Sequence, residues 1–432
     1  MSGPFQAREM TASLTDLSYA ASLDADDPLA RFREQFHIPR MAGGGDQIYL
    51  VGNSLGLQPR RTAAYLEEEL LKWRELAVHA HFTTLHPWMP YHEFLSESMG
   101  AIVGAGDGEV VMMNSLTVNL HLMMVSFYRP TVERHKIVIE SQAFPSDRYA
   151  VESQIRLHGF DPASSLLRAA PREGEETLRT DDILSLIERE GPSIALVLLP
   201  GVQYYSGQLM DIKAIASAAR ASGCTVGFDL AHAAGNVPLH LHDWEVDFAC
   251  WCSYKYLNSG PGSVGGCFVH ERHARSFHLP RLAGWWGHDK GTRFRMPSEF
   301  QPIPGAEGWQ VSNPPILSLA AIRASLDVFM QAGGMTPLRE KSIRLTGYLA
   351  SLVQQIPSVQ MITPESENER GCQISLKISS PRAAGRDVFE RLESSGVVCD
   401  WREPDVIRVA PVPLYNRFTD VLQFAQILEN CV

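Results

Sequence analysis

Several things this sequence lacks narrow the field before any motif is considered. No apolar run reaches the roughly 20 residues a membrane-spanning helix needs. The first 20 residues mix polar and apolar side chains without an apolar stretch, so no secretory signal is expected. No basic stripe stands out. Lys and Arg total 38 against 49 Asp and Glu, a net charge of −11, which speaks against nucleic-acid binding. Cysteine is sparse and odd in number: Cys224, Cys250, Cys252, Cys267, Cys372, Cys399 and Cys431, most of them in apolar stretches. Buried free thiols in a reducing cytosol are the expectation, so the chain is placed in the cytoplasm, with neither membrane nor nucleic acid as partner. No internal repeat or low-complexity run is visible.

What is present is an ordinary globular composition. The chain has 432 residues, 45% of them hydrophobic, enough for a sizeable core. From Val110 apolar strands alternate with helices. Val110–Met113, Lys136–Glu140, Ser165–Arg168, Ile194–Leu199, Cys224–Phe228 and Val246–Trp251 are expected strands. Helices are expected at Thr117–Tyr128, after Pro145, from a Thr180 cap to Glu190, and over Ile212–Ala221, stopped by Gly223. Continuous apolar strands alternating with helices predict an α/β fold, a mostly parallel sheet covered by helices on both faces. After Ile316 two long helices run to about Gln331 and Ile356. Strand Cys372–Ile378, helix Asp387–Ser394, strand Val406–Ala410 and a last helix near Thr419–Glu429 follow, a smaller α+β C-terminal domain. The division expected is 1–20 as a loose extension, 21–314 as the large domain and 315–432 as the small one.

The chemistry concentrates in Gly227-Phe-Asp-Leu-Ala-His232 and Ser253-Tyr-Lys-Tyr256. Asp229 ends a buried strand, where parallel sheets place their ligands. A carboxylate there could pair with a protonated pyridine nitrogen and keep that ring an electron sink. Lys255 comes 26 residues later, after another apolar strand, and can form a Schiff base with an aldehyde. His232 can reach the same ring. Singly, an Asp or Lys after a strand is more often a cap or a solvated end; together, in order and at this spacing, they point to a site. Gly260-Pro-Gly-Ser-Val-Gly265 imitates a dinucleotide fingerprint but leads into the strand-like Cys267–His270, so it reads as a turn, either close to the cofactor or merely tight. Cys250-x-Cys252 and His240-x-His242 do not match zinc spacing, and no metal is expected.

These segments resemble the kynureninase family, as do Gly52-Asn-Ser-Leu-Gly56, Phe144-Pro-Ser-Asp147, His242-Asp-Trp244, Trp251 to Asn258, Gly284-Trp-Trp-Gly-His288, Ser312-Asn-Pro-Pro315 and Arg408 to Asn416. The blocks span residues about 50–416. The resemblance implies a fold-type-I enzyme dependent on pyridoxal 5'-phosphate (PLP), hydrolysing L-kynurenine to anthranilate and L-alanine. The 3-hydroxy analogue is a second substrate the sequence does not separate from the first. Residue by residue, it implies PLP on Lys255, Asp229 on the pyridine nitrogen with His232 beside it, and Phe144 stacked on the ring with Asp147 near its polar edge. Leu116, Thr117 and Tyr254 would hold the phosphate, with Tyr254 a candidate proton donor to the β-carbon. Arg408 would grip the substrate carboxylate, and His81, Ser312 and Asn313 would lie near the aryl ring. Trp285 and Asn313 would complete the site across a homodimer interface. From the residues alone, packed aromatics are the lesser alternative for Phe144 and Trp285, and His81, in His79-Ala-His81, could equally be a satisfied or exposed histidine. A desulfurase would need a mobile nucleophilic thiol, for which Cys372 is the one placement to consider; a non-catalytic PLP-fold protein would not need intact Lys255 and Asp229.

Overall fold

The structure is a computed structural model, and it describes residues 14–380 and 383–432. The loose extension expected at 1–20 falls largely on residues 1–13, outside the described part. Within it, Leu17–Ala25 is already helical, with Ala20 fully buried.

In chain order the strands are β1 (Ile48–Tyr49), β2 (Val110–Met112), β3 (Lys136–Glu140), β4 (Leu166–Ala169), β5 (Ile194–Pro200), β6 (Thr225–Asp229), β7 (Phe248–Trp251), β8 (Gly266–Val269), β9 (Val359–Met361), β10 (Ile374–Ile378), β11 (Val397–Val398), β12 (Asp400–Arg402) and β13 (Val406–Val409). Seven of them form the main sheet in the order β2-β8-β7-β6-β5-β3-β4. β4, β3, β5, β6 and β7 run parallel, and β8 is antiparallel to both its neighbours. The apolar runs that predicted doubly covered strands are buried along almost their whole length; Ile194 to Leu199 are at most 6% exposed.

Local chemistry sets the element ends. The Asp211 side chain accepts the Ala214 N–H at 2.9 Å to start helix Ile212–Ala221, and Gly223, at φ +69°, lets the chain leave it. Pro145 opens helix Pro145–Leu157 at its first turn, where a missing N–H costs nothing. Thr180 is not the cap expected of it. It is the first helical residue of Thr180–Glu190, and the preceding Arg179 cannot cap the helix because a guanidinium has no acceptor for a backbone N–H. Asp181 and Asp182 place negative charge in that helix's first turn instead.

A second, four-stranded antiparallel sheet, β12-β13-β10-β9, forms the C-terminal unit, and β1 pairs in parallel with β11. The packing does not divide the chain at 314/315. Helix Ile316–Gln331 sinks Leu319, Ile322, Leu326 and Phe329 into the core of the main sheet. Conversely Ala20, Ile48 and Leu50 belong to the C-terminal core. The Asp24 carboxylate fastens this N-terminal piece there, accepting from the Phe418 N–H at 2.6 Å and the Thr419 hydroxyl at 2.7 Å. Among the described residues no single helix is long and apolar enough to cross a membrane. The bent pair Ile316–Gln331 and Met335–Val353 has the length and composition to do so, and its apolar residues serve these two cores.

Candidate active site

The carboxyl ends of β3, β5 and β6 open onto a cavity of about 400 Å³. Its lining includes Ser115, Leu116, Thr117, Phe144, Asp147, Asp229, His232, Tyr254, Lys255 and Arg408, drawn from stretches far apart in the chain. Asp229 closes β6, and its Oδ1 accepts the Ala231 N–H at 2.7 Å, which fixes the carboxylate at the strand's mouth. Lys255 sits in the turn after β7. Asn258, at φ +52°, tightens that turn through its N–H to the Lys255 carbonyl at 3.0 Å. Lys255 Nζ lies 2.9 Å from His232 Nε2. Phe144 is 43% exposed and meets Tyr204 edge-on at 5.1 Å, so it faces the cavity and is no core residue.

The electrostatics are lopsided. Burial, and then the neighbouring Asp229, push the Asp147 carboxyl well above the usual carboxylate range. Glu140, ending β3, is pushed up to about 8 by burial, with Asp229 adding to the effect. Asp147 Oδ1 is buried without a hydrogen-bond partner. Burial and the adjacent Lys255 ammonium hold His232 well below the usual histidine range, so its imidazole is neutral and Nε2 can accept from Lys255. Burial also lifts the Tyr254 phenol, which keeps its proton. Three carboxyl groups thus share a cavity floor with one lysine amine. Such a set calls for a further positive charge.

At another part of the wall, helix Leu116–Phe127 begins behind Ser115, whose side chain does not cap it. Its first-turn N–H groups lack intrahelical acceptors and suit an anionic ligand. The Thr117 hydroxyl is 2.8 Å from the Ser146 hydroxyl, so the pair lies at that end together. Arg408, 1% exposed, donates to the Tyr204 carbonyl at 2.5 Å and to Asp400.

Four of the residues singled out from sequence are not brought to this cavity within one chain. Trp285 is 40% exposed and donates through Nε1 to the Arg293 carbonyl at 3.3 Å. Ser312 and Asn313 are exposed. His81 packs edge-on against Trp88 at 5.2 Å, and its Nδ1 is 3.0 Å from the Val78 carbonyl oxygen. Cavity residues that the sequence did not single out include Asn53, Ser54, Glu140, Ser146, Tyr204 and Arg402. Asn53 and Ser54 stood inside the quoted block Gly52–Gly56, and Ser146 inside Phe144–Asp147. Glu140 ends an apolar strand as Asp229 does, and the same logic applies to it.

The remaining motifs resolve simply. Gly260 and Gly262, at φ +91° and +67°, make a tight turn into β8 that lines a different groove. Cys372 is fully buried, 3.3 Å from the Ser342 hydroxyl, with its thiol pushed up to about 11 by burial, and it does not line the cavity. His242 does lie with Glu109 and His270 in a group of metal-ligand type, which no spacing revealed because the three come from separate segments. Their atoms are engaged, however. Glu109 accepts the Gly106 and Glu271 N–H groups, both at 2.6 Å, and His270 Nδ1 accepts that of Arg272 at 3.1 Å.

Comparison with known proteins bears on the same residues. A family model described as the kynureninase C-terminal domain matches residues 338–428. The kynureninase of Koribacter versatilis (strain Ellin345) is 59% identical, over 95% of this chain and 97% of its own length. That of Myxococcus xanthus (strain DK1622) is 56% identical, over 96% of each. Among solved structures, the cysteine desulfurase CsdA (S-sulfonic acid) from Escherichia coli matches at TM-score 0.75 and 14% identity, over 93% of this chain and 98% of that one. A C-DES mutant with glycine covalently linked to its PLP cofactor matches at TM-score 0.74 and 16% identity, over 92% and 98%. Likeness at so low an identity speaks for the fold alone, and that fold is the fold-type-I architecture.

Proposed function

The chain belongs to the kynureninase family, and from that membership we propose how its cavity works: it holds pyridoxal 5'-phosphate and hydrolyses the Cβ–Cγ bond of L-kynurenine to anthranilate and L-alanine in tryptophan degradation. The observation that carries this reading is Lys255 Nζ, 2.9 Å from a neutral His232, in a cavity that also holds Asp229.

The residues present fit the cofactor. The carboxyls of Asp229, Asp147 and Glu140 outnumber the one lysine beside them, and a protonated ring nitrogen would supply a further cation. The start of helix Leu116–Phe127, with Thr117 and Ser146, offers donors for a phosphate, and Tyr254 lines the same cavity. Phe144 presents an exposed face for stacking. When bound there, the cofactor supplies the electron sink that carbanion chemistry at Cα and Cβ requires.

The chain's own groups do the rest. Asp229, fixed by the Ala231 N–H, keeps the ring nitrogen charged. Lys255 is the cavity amine that can join an aldehyde. As a free amine its Nζ would take the Cα proton, and His232 Nε2 is in place to hold that amine in position. Tyr254, kept protonated by burial, is our donor to the β-carbon. Arg408 grips the α-carboxylate as a two-pronged donor. Desulfuration, the chemistry of the fold neighbours, finds no thiol among the cavity-lining residues.

We further propose a cytoplasmic homodimer with shared sites. Trp285, Ser312 and Asn313 are exposed rather than in the single-chain cavity, as residues given to a partner would be. Leu70, Trp73, Val78, Phe82 and Leu85, close to His81 in the chain, are all exposed apolar side chains of the kind that two-fold association would cover. The seven free thiols suit a reducing compartment. The test is direct. With PLP and L-kynurenine, the enzyme should release fluorescent anthranilate and show a visible band lost on borohydride reduction. Lys255→Ala should lose both. Substantial steady-state turnover in that variant would sink the assignment.

A further inference from the structure

β12 and β13 bring three charged side chains onto one face. Asp400 lies directly across from Arg408 in the antiparallel register. Arg402 follows Asp400 by two residues, the spacing that returns a strand to the same side. Trp401, between them, packs instead against Phe389, at 6.2 Å between ring centres. Asp400 Oδ2 accepts from both arginines, from Arg402 at 3.1 Å and from Arg408. Two guanidiniums around one carboxylate leave a surplus of one positive charge.

That surplus faces the active-site cavity, since both arginines line it. The Nε donors of Arg402 and Arg408 are both buried and both lack a hydrogen-bond partner. A buried donor without an acceptor is costly unless a ligand supplies one. The helix start at Ser115–Thr117 already offers donors to a phosphate, so the arginine pair is free for a second anion. Arg408 is sealed at 1% exposure, whereas the Arg402 side chain is 37% exposed. Arg402 can therefore adjust to an arriving ligand while Arg408 stays fixed.

We infer that Arg402 is a second arm of the carboxylate clamp, donating alongside Arg408 to the single carboxylate of the substrate, with the shared Asp400 trimming the clamp to one net positive charge. This rests on the reading of Arg408 as the carboxylate grip. The probes are two aryl ketones acting as competitive inhibitors of the holoenzyme. Benzoylpropionate carries the aroyl group and a carboxylate but no amine; butyrophenone has the same skeleton ending in a methyl group.

Arg402→Gln should weaken benzoylpropionate about tenfold, the worth of one charge-assisted hydrogen bond. It should leave butyrophenone within about twofold by the same reasoning. Arg402→Lys should recover part of the loss, which also guards against a variant that merely misfolds. The visible cofactor band should persist in both. If Arg402→Gln weakens both inhibitors equally, or neither, while Arg408→Gln weakens benzoylpropionate alone, Arg402 is no clamp arm and the Arg408 reading stands. Should neither arginine variant affect benzoylpropionate, the carboxylate reading itself falls and takes the proposal with it. Loss of the band at saturating PLP in Arg402→Gln would assign Arg402 to the cofactor and overturn the inference as well.

Discussion

Gly56→Ala adds one methyl group, and its effect should reach Lys255, the proposed cofactor lysine. Gly56 donates its N–H to the Tyr254 carbonyl at 2.8 Å, so its backbone lies flat against the turn that carries Lys255. A Cβ built on Gly56 would overlap the Lys255 carbonyl oxygen and Asn258 Oδ1 and lie 2.7 Å from Asn258 Cα. Two of those three atoms are backbone, so no side-chain rotation clears them. Opening 2.7 Å to an ordinary contact needs a shift of about 0.7 Å or more. The turn must move, because Asn258 at φ +52° and its bond to the Lys255 carbonyl leave little slack. Overpacking of this kind costs about 1–3 kcal/mol. A displacement near 1 Å at the reacting amine costs roughly a hundredfold in rate. The assay is kcat from anthranilate fluorescence beside the thermal midpoint of the holoenzyme. Gly43→Ala is the control, since nothing lies within 4 Å of the Cβ it would add. Wild-type kcat and an unchanged midpoint in Gly56→Ala would refute the close approach, and with it the role of Gly56 in seating the lysine turn.

Asp229→Asn should retain some cofactor but lose most turnover, since an amide cannot balance a ring cation; a near-normal kcat would make Asp229 a structural cap. Glu140→Gln should flatten the pH dependence of stability in cofactor-stripped protein. Its carboxyl sits at about 8, above its unfolded value of 4.5, so the stability it contributes is complete below pH 4.5 and is lost as pH rises through 8. The wild type should therefore lose stability between about pH 4.5 and 8, by on the order of a few kcal/mol, relative to the Gln variant; parallel curves would show that Glu140 titrates normally. Mixing Lys255→Ala and Asn313→Ala protomers, each inactive alone, should restore up to about a quarter of wild-type activity, because one site of each heterodimer escapes both lesions. No recovery in a verified heterodimer would confine each site to one chain.

Which of these residues could be found from sequence depends on how each is positioned. Asp229 and Lys255 were legible because apolar strands stand immediately before them, and a parallel sheet delivers the residue after each strand to the same edge. The α/β alternation was legible for the same reason: Ile194–Leu199 has no polar residue to expose, so it has to be covered on both faces. Glu140 was passed over because a charged residue ending a strand ordinarily reaches water. Its burial follows from the neighbouring strands, which sequence does not order. The packing partner of one long helix was not legible for a related reason. Helix Ile316–Gln331 has apolar residues on most of its circumference, a pattern that says it is buried but not against which sheet.

Arg402 is the instructive case. Nothing in Asp400-Trp-Arg402 marks a binding site, and β12 is only three residues long. Its meaning comes from register. Asp400 opposite Arg408 sets two arginines around one acid, and a one-residue slip would turn Asp400 and Arg402 away from Arg408. Neither arginine's Nε finds an acceptor among the described residues. The fold leaves two buried guanidinium donors unmet in a cavity that also holds a lysine and three carboxyls. The acidic part calls for a cationic ring, and the basic part for an anion on the molecule that ring will hold. An amino acid substrate bound through its amine to the cofactor brings that anion at a fixed distance. Burial comes first in holding His232 unprotonated, and the charges of Lys255, Arg408 and Arg402 join it. Neutralising Arg402 should therefore raise the imidazole's affinity for a proton. The pH profile of kcat should then shift its acidic limb upward in Arg402→Gln, while a profile that does not move would mean that burial alone keeps His232 neutral.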